Sequence, residues 1–558
     1  MPTPALFRPR LLDCLRGYSR TDFRSDFTAG LTLGVIALSL SMALGIASGA
    51  TPAVGIVTGI VAGFLISLLG GSRVTIGGPT AAFIPVVAAV AQEHGPDNLL
   101  ICTALAGLML MALGFARMGT MIKYIPMPVI AGFTAGIAVY ILSTQLRDFF
   151  GLRLGPDETV PADFIHKLTF IARHLHAIHW PAAVMAVLAA ALVKFWPATW
   201  ARWVPPSLAA VILGTAAAAL LPLSVETIGS RFGPDAIPQS LPRPHLPVFD
   251  FDQMRFLIRP AFTIALLGAI ESLLCCVVAD GMIEDKHDSN TELIAQGAAN
   301  FGSAVFGGLP ATGAIARTAA NVRSGARTPI AGIAHALALL GIVLVAAPLA
   351  KFVPLPVLSG ILVVIGLNMG EWRNFGRLRG WPKSDASVFL ISFVLTVVAD
   401  LTLAVEVGLI LAAFLFIRRV SETTQITSVD ERALDLAPED SLHGKEVPKG
   451  VLVYQVAGAF LFGTADKLET ALRGADRQPD VLILGMKRVM AMDATGIHAL
   501  EELHAKLRRH HRWLVLAGPH TQPLMALSNS GFIVHVGPEN VCENVDEALN
   551  RARELLGR

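Results

Sequence analysis

Two short segments place glycine, proline and threonine between apolar stretches, and the second of them ends in an arginine. The first reads Gly-Gly-Pro-Thr-Ala-Ala at positions 77–82, and the second reads Gly-Gly-Leu-Pro-Ala-Thr-Gly-Ala-Ile-Ala-Arg at positions 307–317. Paired hydrophobic segments that are interrupted by Gly and Pro indicate a transporter's substrate site built from two half-helices. A helix N-terminus carries free N–H groups and partial positive charge, so two of them aimed at one point would favour an anion.

The half-helices are expected to begin at or near the prolines, because a first helical turn tolerates a residue without an N–H group. The glycines before them allow an extended backbone to turn into a helix inside the membrane. The alternative is a close packing contact of the small-xxx-small kind between helices. The residues predicted to shape the backbone are Gly78, Pro79 and Pro310.

Substrate contacts are predicted from the residues around these helix starts. Backbone N–H groups and one hydroxyl would line the pocket, and the guanidinium of Arg317 would hold a carboxylate or a sulfate through two parallel hydrogen bonds. The alternative for Arg317 is a side chain that reaches the cytoplasmic edge of the membrane. The predicted contacts are Thr80, Ala81, Gly313, Ala314 and Arg317.

One carboxyl group, Glu271, lies midway along an apolar segment at 257–279. A charge inside a membrane segment is costly and is usually functional. Burial favours the protonated carboxyl group and a nearby Arg317 would favour the ionised one, so Glu271 is predicted to carry a coupled proton. The alternative is a permanent ion pair with Arg317. Asn290 and Gln296 are interpreted as supports of the turn that follows, not as ligands.

The composition excludes several classes of protein. Of 558 residues, 53% are hydrophobic and only 15% are charged, which indicates an integral membrane protein. Lys and Arg number 44 against 42 Asp and Glu, so nothing suggests binding to nucleic acid. The five cysteines lack metal-ligand spacing, and no nucleophile with an oriented base or phosphate-binding loop is present. We therefore expect neither an enzyme nor a cofactor. We also expect no removable signal peptide.

Apolar segments long enough to cross all or part of the hydrocarbon layer recur along the first three quarters of the chain. Seven in each half would place the second half upside down relative to the first, as in an inverted repeat. The distribution of Lys and Arg predicts that both termini are cytoplasmic. The fourteen segments are 28–47, 52–70, 79–91, 99–116, 125–143, 181–196, 205–222, 257–279, 292–306, 311–320, 329–349, 354–369, 385–399 and 402–417.

The predicted domains follow from these segments and from a change in composition after Arg419. Apolar runs such as VLVYQV and VLILGM then alternate with helical patterns such as DKLETAL, which is typical of a soluble α/β domain. The predicted domains are an arm at 1–25, a membrane domain at 26–420 with repeats at about 26–222 and 256–420, a linker at 421–448 and a soluble domain at 449–558.

Four motifs resemble the SulP family, the bacterial relatives of the solute carrier family 26 anion transporters. They are GGPTAAF at 77–83, GAIESLLC at 268–275, the run DSNTELIAQGAANFGSAVFGGLPATGAIARTAANVRSGA at 288–326 and MDATGIHALEEL at 492–503. The last is similar to the signature of a STAS domain. The resemblance implies a fourteen-span inverted repeat with core and gate subdomains, a homodimer in a bacterial inner membrane, and transport by an elevator-like movement of the core.

Substrate and regulation are also implied by the resemblance. Residues 264–330 are most similar to the C4-dicarboxylate transporters of the family, so we expect proton-coupled uptake of succinate, fumarate or aspartate. Sulfate or bicarbonate is the alternative; an anion channel and a membrane-anchored signalling scaffold are less favoured. The STAS domain is expected to have a cytoplasmic partner, and Thr495 matches a position that is phosphorylated in some bacterial STAS proteins.

The sequence departs from the family at Ser39, where the family often has proline, and at a set of positions that bears on ion coupling. In the sodium-dependent bicarbonate transporters, an acidic residue of the eighth span acts with hydroxyl residues one turn further on and in the tenth segment. The matching positions here are Glu271, Cys275 and Ile315. Cysteine and isoleucine offer no oxygen ligand to a hard cation, so coupling to sodium is not expected.

Overall fold

The computed structural model describes residues 7–122, 126–154, 158, 160–161, 163–201, 204–221, 223–240, 243–244, 251–399, 401–423, 425–428, 442, 445–461 and 479–557. The chain forms two compact units, Met1–Ile410 and Leu411–Arg558.

Each of the fourteen predicted apolar segments corresponds to a helix. Among the described residues, seven helices are long and apolar enough to cross a membrane, and several others are shorter, so the number of complete spans stays a prediction. The helices are α1 (Arg20–Ala47), α2 (Pro52–Leu69), α3 (Ile84–His94), α4 (Pro96–Phe115), α5 (Met127–Phe150), α6 (Trp180–Phe195), α7 (Pro206–Leu220), α8 (Phe251–Ile283), α9 (Ser289–Val305), α10 (Ile315–Arg323), α11 (Ile330–Ala350), α12 (Leu355–Met369), α13 (Lys383–Val398) and α14 (Leu401–Thr423).

Short elements connect these helices. Two three-residue strands, β1 (Gly77–Pro79) and β2 (Ala311–Gly313), precede α3 and α10. The short α-helices and 3-10 helices are Arg10–Cys14, Ala81–Phe83, Gly119–Ile122, Phe164–Arg173, Leu175–Ala177, Ala198–Ala201, Ile228–Phe232, Arg373–Arg377 and Leu378–Gly380.

Local signals in the sequence explain several helix starts. The hydroxyl of Ser19 accepts from the N–H of Asp22, whose carboxylate accepts from the N–H of Ser19 in return, which forms a capping box at α1. Thr51 caps α2 ahead of a proline in its first turn. The carboxylate of Asp288 caps α9 by accepting from the N–H of Thr291 at 2.8 Å.

The packing of the helices separates two groups and relates the two halves. The pair α4–α9 has its counterpart in α2–α11, the pair α1–α11 in α4–α8, and the pair α5–α13 in α6–α12. Each pair becomes its counterpart when helices seven positions apart are exchanged. The first four helices of each half therefore pack mainly with one another, and α5 and α6 pack with α12 and α13. This is the arrangement expected of a seven-plus-seven repeat with a core and a gate.

The second unit contains a five-stranded sheet with the order β3-β4-β5-β6-β7. The pair β3–β4 is antiparallel and the remaining pairs are parallel. Its strands are β3 (Gln425–Ser428), β4 (Val451–Phe460), β5 (Val481–Met492), β6 (Trp513–Ala517) and β7 (Val541–Cys542); its helices are α15 (Ala494–Arg509), α16 (Thr521–Asn529), α17 (Phe532–Val536), the 3-10 helix Pro538–Asn540 and α18 (Val545–Leu556). The predicted α/β domain is confirmed, and the helical pattern at 466–472 lies outside the described residues.

The predicted linker at 421–448 begins with regular structure, and its residues 424, 429–441 and 443–444 lie outside the described residues. Helix α14 continues to Thr423, and β3 pairs with β4 with Gln425 opposite Ala457. The local sequence of β3 is polar, and only its pairing with a distant strand makes it regular.

The crossing of α4 and α9 gives a test of packing. A Cβ atom at Gly297 would lie 2.5 Å from the carbonyl oxygen of Gly107 and 2.6 Å from the backbone nitrogen of Met111, so the two backbones leave no room for a side chain. Gly297→Ala should therefore destabilise the protein by about 1–3 kcal/mol. In contrast, Gly341 in α11 has no atom within 4 Å of its added Cβ, and Gly341→Ala should be neutral or slightly stabilising. Melting curves of the two variants in detergent test this; equal melting temperatures would contradict it.

Candidate substrate site

The structure brings the two Gly/Pro segments together as a small antiparallel sheet. Strand β1 pairs with β2 in the register Gly77 with Gly313, Gly78 with Thr312 and Pro79 with Ala311. All six residues are buried. Because α3 with its preceding 3-10 turn and α10 begin directly after these strands, their N-termini start from the same place in the core.

The prolines do not begin the helices, which corrects one expectation. Pro79 lies in β1, and Pro310 directly precedes β2. The N-cap of α10 is Ala314, four residues after Pro310. The helices instead begin after Thr80 and Ala314. The reason is the strand pairing, which keeps each proline in the extended conformation that its fixed φ also allows.

Asn300 in α9 satisfies the backbone of β2 on the side that faces away from β1. The N–H of Ala314 donates to the carbonyl oxygen of Ile76, so the alternating pair Pro79–Ala311 is not hydrogen-bonded across the sheet, and the N–H and C=O groups of Ala311 point away from β1. The amide of Asn300 donates to the carbonyl oxygen of Ala311 at 2.8 Å and accepts from its N–H at 2.8 Å. Asn300 is only 1% exposed, so both bonds are protected from water. A side chain eleven positions earlier thus completes the hydrogen bonding of the extended segment.

Hydroxyl groups from α2, α8, α9 and α10 hold the rest of this backbone. Thr58 accepts from the N–H of Leu309 at 2.7 Å, and Ser303 donates to the carbonyl oxygen of Leu309 at 2.7 Å. Thr318 accepts from the N–H of Ile76 at 3.0 Å. The hydroxyls of Ser272 and Thr312 form a short hydrogen bond with each other. These residues were not predicted from the sequence. Their local signal is that each lies beside a glycine or on the apolar segment next to one.

The guanidinium of Arg317 is buried against the strand pair. The side chain is 3% exposed and donates through Nη2 to the carbonyl oxygen of Pro79. Its Nε and Nη1 atoms are buried and have no hydrogen-bond partner among the described residues. A Cβ atom at Gly78 would lie 2.6 Å from Nη1, and Gly78 has a φ of 147°, so glycine is needed at this position. This burial contradicts the alternative considered for Arg317, a side chain that extends to the membrane edge.

The backbone donors are arranged differently from the prediction. The N–H of Ala314 donates to the carbonyl oxygen of Ile76 at 2.9 Å, and the N–H of Gly313 donates to the hydroxyl of Ser272 at 3.3 Å. Both groups are therefore used inside the core in this conformation. The donors left at this helix start are those of the first turn of α10, which have no partner four residues earlier; Ala316 in that turn is exposed.

The first half-helix begins at Thr80, whose hydroxyl accepts from the N–H of Ala82 at 3.5 Å. Thr80 is half-buried and Ala81 is 8% exposed. The hydroxyl of Thr80 is the acceptor in this bond, so the bond does not use its hydrogen. Roles for Thr80, Ala81, Gly313 and Ala314 in substrate binding stay predictions.

Glu271 lies apart from Arg317. No ion pair within 4.0 Å joins these two side chains in the described part of the chain, so the structural pair considered from the sequence does not form. The carboxyl group instead borders a small cavity of about 20 Å³ between α8, α5 and α14, with Phe133 and Val405 among its apolar neighbours. A volume of that size holds about one water molecule.

The residues interpreted as supports occupy the start of α9. Asn290 accepts from the N–H of Gly119 at 3.0 Å. Gln296 donates to the carboxylate of Glu292 at 2.8 Å, and Glu292 accepts from the N–H of Gly71 at 2.9 Å. Their polar groups thus bind loops and neighbouring side chains on α9. Cys275 donates to the hydroxyl of Thr318 at 3.2 Å.

In the second unit, Asp493 caps α15. Its carboxylate accepts from the N–H of Gly496 at 2.8 Å. Thr495 lies in the first turn of this helix and is exposed. Its predicted phosphorylation is untested.

Comparisons with known proteins agree with this architecture. Residues 23–392 match the model of the sulfate permease family, and residues 444–548 match that of the STAS domain. The chain is 38% identical to the putative sulfate transporter YvdB of Bacillus subtilis (strain 168), over 86% of this chain and 89% of that protein. It is 31% identical to the bicarbonate transporter BicA of Synechocystis, over 88% of each protein. The structure of the murine Slc26a9 anion transporter in the inward-facing state superimposes with a TM-score of 0.87 at 20% identity, over 98% of this chain and 94% of that one.

Removal of the Asn300 amide should weaken the strand pair. Asn300→Ala leaves both the N–H and the carbonyl of Ala311 buried without a partner, at a cost of about 1–3 kcal/mol for each group. Ser303→Ala removes only one bond to Leu309, whose N–H keeps its partner Thr58. We therefore expect a larger drop in melting temperature for Asn300→Ala than for Ser303→Ala. The opposite order would show that the Asn300 amide does not stabilise β2 more than the Ser303 hydroxyl stabilises Leu309.

Proposed function

The chain belongs to the sulfate permease family, and we propose that it is a secondary active transporter of a small oxyanion. Family membership makes it a multi-pass membrane protein whose relatives carry anions. We further propose a bacterial inner-membrane location, cytoplasmic termini and a homodimer, as expected from the resemblance and from the distribution of basic residues.

The buried guanidinium of Arg317 carries the proposal. A buried charge is normally paired, because an unpaired one loses its hydration without compensation. Arg317 has a carbonyl oxygen as its described partner and two further nitrogen atoms without one. A bound oxyanion would supply the missing negative charge and accept from these nitrogens. The N-termini of α3 and α10 beside it favour the same ligand.

Sulfate and bicarbonate have the most support as substrates. The relatives with the highest identity given above are named as sulfate and bicarbonate transporters. The C4-dicarboxylate prediction rests on the resemblance of residues 264–330 and on charge: two helix ends of about half a charge each and one arginine sum to roughly two positive charges. That sum suits any dianion, sulfate included, so we keep a C4-dicarboxylate as the alternative substrate to be tested.

The cavity beside Glu271 supports a mechanism in which the core moves against the gate. With a volume of about 20 Å³, the space between α8, α5 and α14 is too small for any of these anions. We propose that substrate passes Glu271 only when the helices of the core separate from those of the gate. Glu271 lies at that boundary, where such a movement would change its access to water.

Uptake by purified protein in liposomes tests the substrate. Labelled sulfate, bicarbonate and fumarate are offered separately, and each is competed with an excess of the other two. We expect sulfate or bicarbonate to be accumulated and fumarate to compete weakly. Accumulation of fumarate that excess sulfate and bicarbonate do not reduce would establish the dicarboxylate instead.

The role of Arg317 is tested with a matched pair on the same helix. Arg317→Gln should lower uptake at least tenfold, because a charge-assisted hydrogen bond contributes about 1.5–3 kcal/mol. Arg323→Gln removes an exposed arginine from the last turn of α10 and should leave uptake unchanged. Equal uptake by both variants would contradict the proposed site.

Coupling is tested with gradients across the liposome membrane. We propose that uptake rises with an inward proton gradient and is indifferent to sodium, because Cys275 and Ile315 offer no oxygen ligand. Glu271→Gln should abolish accumulation driven by the proton gradient while exchange of internal for external substrate persists. Glu93→Gln, an exposed glutamate at the end of α3, is the control. Stimulation by a sodium gradient at constant pH would overturn the coupling proposal.

A further inference from the structure

We propose that the chain holds a second oxyanion site, in a cavity of about 390 Å³ at the C-terminal end of α5 and the N-terminal ends of α6 and α12. The loop at 223–226 closes one side of this cavity, and Arg147, Arg153 and His179 line it. A volume of this size is typical of a small-molecule site. Neither β1, β2 nor α10, the helix of Arg317, contributes a residue to its lining. The site is therefore separate from the substrate site proposed above.

The two carboxylates at this cavity, those of Asp148 and Glu226, are already hydrogen-bonded to an arginine. Arg231 donates to Asp148 at 2.6 and 3.1 Å and to Glu226 at 2.6 and 2.8 Å. Burial acts to raise the pKa of Glu226, but the hydrogen bonds from Arg231 hold it below its ordinary value. One guanidinium thus keeps both carboxylates occupied, in the two-pronged geometry that arginine favours.

Two further arginines at the cavity have no such partner. Neither Arg147 nor Arg153 forms an ion pair within 4.0 Å with a carboxylate of the described residues. Within the described part of the chain, the Nε atom of Arg147 is buried without a hydrogen-bond partner, and Arg153 makes a long hydrogen bond of 3.3 Å to the carbonyl oxygen of Ser224. Among the described residues at this cavity, three arginines stand against two carboxylates, which leaves one net positive charge that an oxyanion would balance.

His179 adds a third donor on the same side. Burial lowers the pKa of its imidazole, and the positive charge of Arg153 lowers it further. His179 and Arg153 line the same cavity. An imidazole N–H and two guanidinium groups offer donors from three residues, which suits an anion with several equivalent oxygens.

Backbone hydrogen bonds hold the walls of the cavity in place. The N–H of Leu355 donates to the carbonyl oxygen of Glu226 at 2.9 Å, and the N–H of Ile228 donates to that of Val353 at 3.0 Å. On the other wall, the N–H of His179 donates to the carbonyl oxygen of Phe150 at 3.0 Å. The arginines are therefore presented by a pre-formed frame, which lowers the entropic cost of binding.

The ligand is an inorganic oxyanion such as sulfate, or the phosphate of a lipid headgroup with the same chemistry. If the termini are cytoplasmic, this end of α5, α6 and α12 faces the outside of the cell. An anion arriving from that side would meet this site before the core. The site would then raise the local concentration of anions at the gate.

Binding of labelled sulfate to the full chain in lipid-free detergent solution tests the proposal. All variants are made in an Arg317→Gln background, so that the site proposed for transport does not contribute. Sulfate should still bind this background, and Arg147→Gln or Arg153→Gln should weaken the binding at least tenfold. Arg153→Lys should restore part of it. Arg173→Gln, an exposed arginine that does not line the cavity, is the matched control and should bind like the background.

A second measurement identifies the source of the oxyanion. Native mass spectrometry counts phosphatidylglycerol molecules retained by the chain and by Arg153→Gln after purification from liposomes. A retained lipid that the substitution releases assigns the site to a headgroup phosphate; sulfate binding that the substitution weakens assigns it to a free anion. If Arg153→Gln and Arg147→Gln change neither quantity, the second site does not exist. Because uptake is not measured, the result is independent of whether Arg317 binds the transported substrate.

Discussion

Extended backbone inside a membrane domain must have every N–H and C=O group satisfied by protein, because no water is present to do so. The segments before α3 and α10 meet this demand by pairing with each other as β1 and β2 and by forming hydrogen bonds with side chains. Asn300 bonds the backbone of Ala311. Thr58 and Ser303 bond the backbone of Leu309, and Thr318 bonds that of Ile76. The position of both half-helix starts, and with it the geometry of the substrate site, depends on this set of bonds.

The same constraint explains why an arginine can be buried there. Arg317 completes the hydrogen bonding of Pro79 and packs on Gly78, where any larger residue would displace the guanidinium. The cost of its unpaired charge is tolerable in a protein that takes up an anion, since the ligand supplies the counter-charge during each cycle. Its two remaining nitrogens are held in place before substrate arrives, so little ordering is needed on binding.

Glu271 lies on one side of helix α8, and α10, which carries Arg317, packs against another side of the same helix. Ser272 and Cys275 face β2 and α10, through hydrogen bonds to Thr312 and Thr318. Glu271 faces α5 and α14. A movement of the core along the gate would therefore alter the surroundings of Glu271. The hydrogen bonds of Ser272 and Cys275 lie within the core and would be preserved. This separation gives the coupling proposal a physical basis that direct pairing with Arg317 would not.

The sequence by itself determined the class of the molecule, the order of its helices and the two segments rich in glycine and proline, because these follow from local composition and from hydrophobic periodicity. It was misleading on the prolines, on the N–H groups of Gly313 and Ala314, and on the neighbourhood of Glu271. In each case the outcome depended on a partner far away in the chain: Ala311 for Pro79, Ile76 for Ala314, and Val405 for Glu271. The cavity at Arg147, His179 and Glu226 likewise has no local signal, since its charges come from separate helices and a loop. Only the tertiary structure decides these features, because a polar group buried in a membrane domain takes whichever partner the packing of distant segments brings within hydrogen-bonding distance.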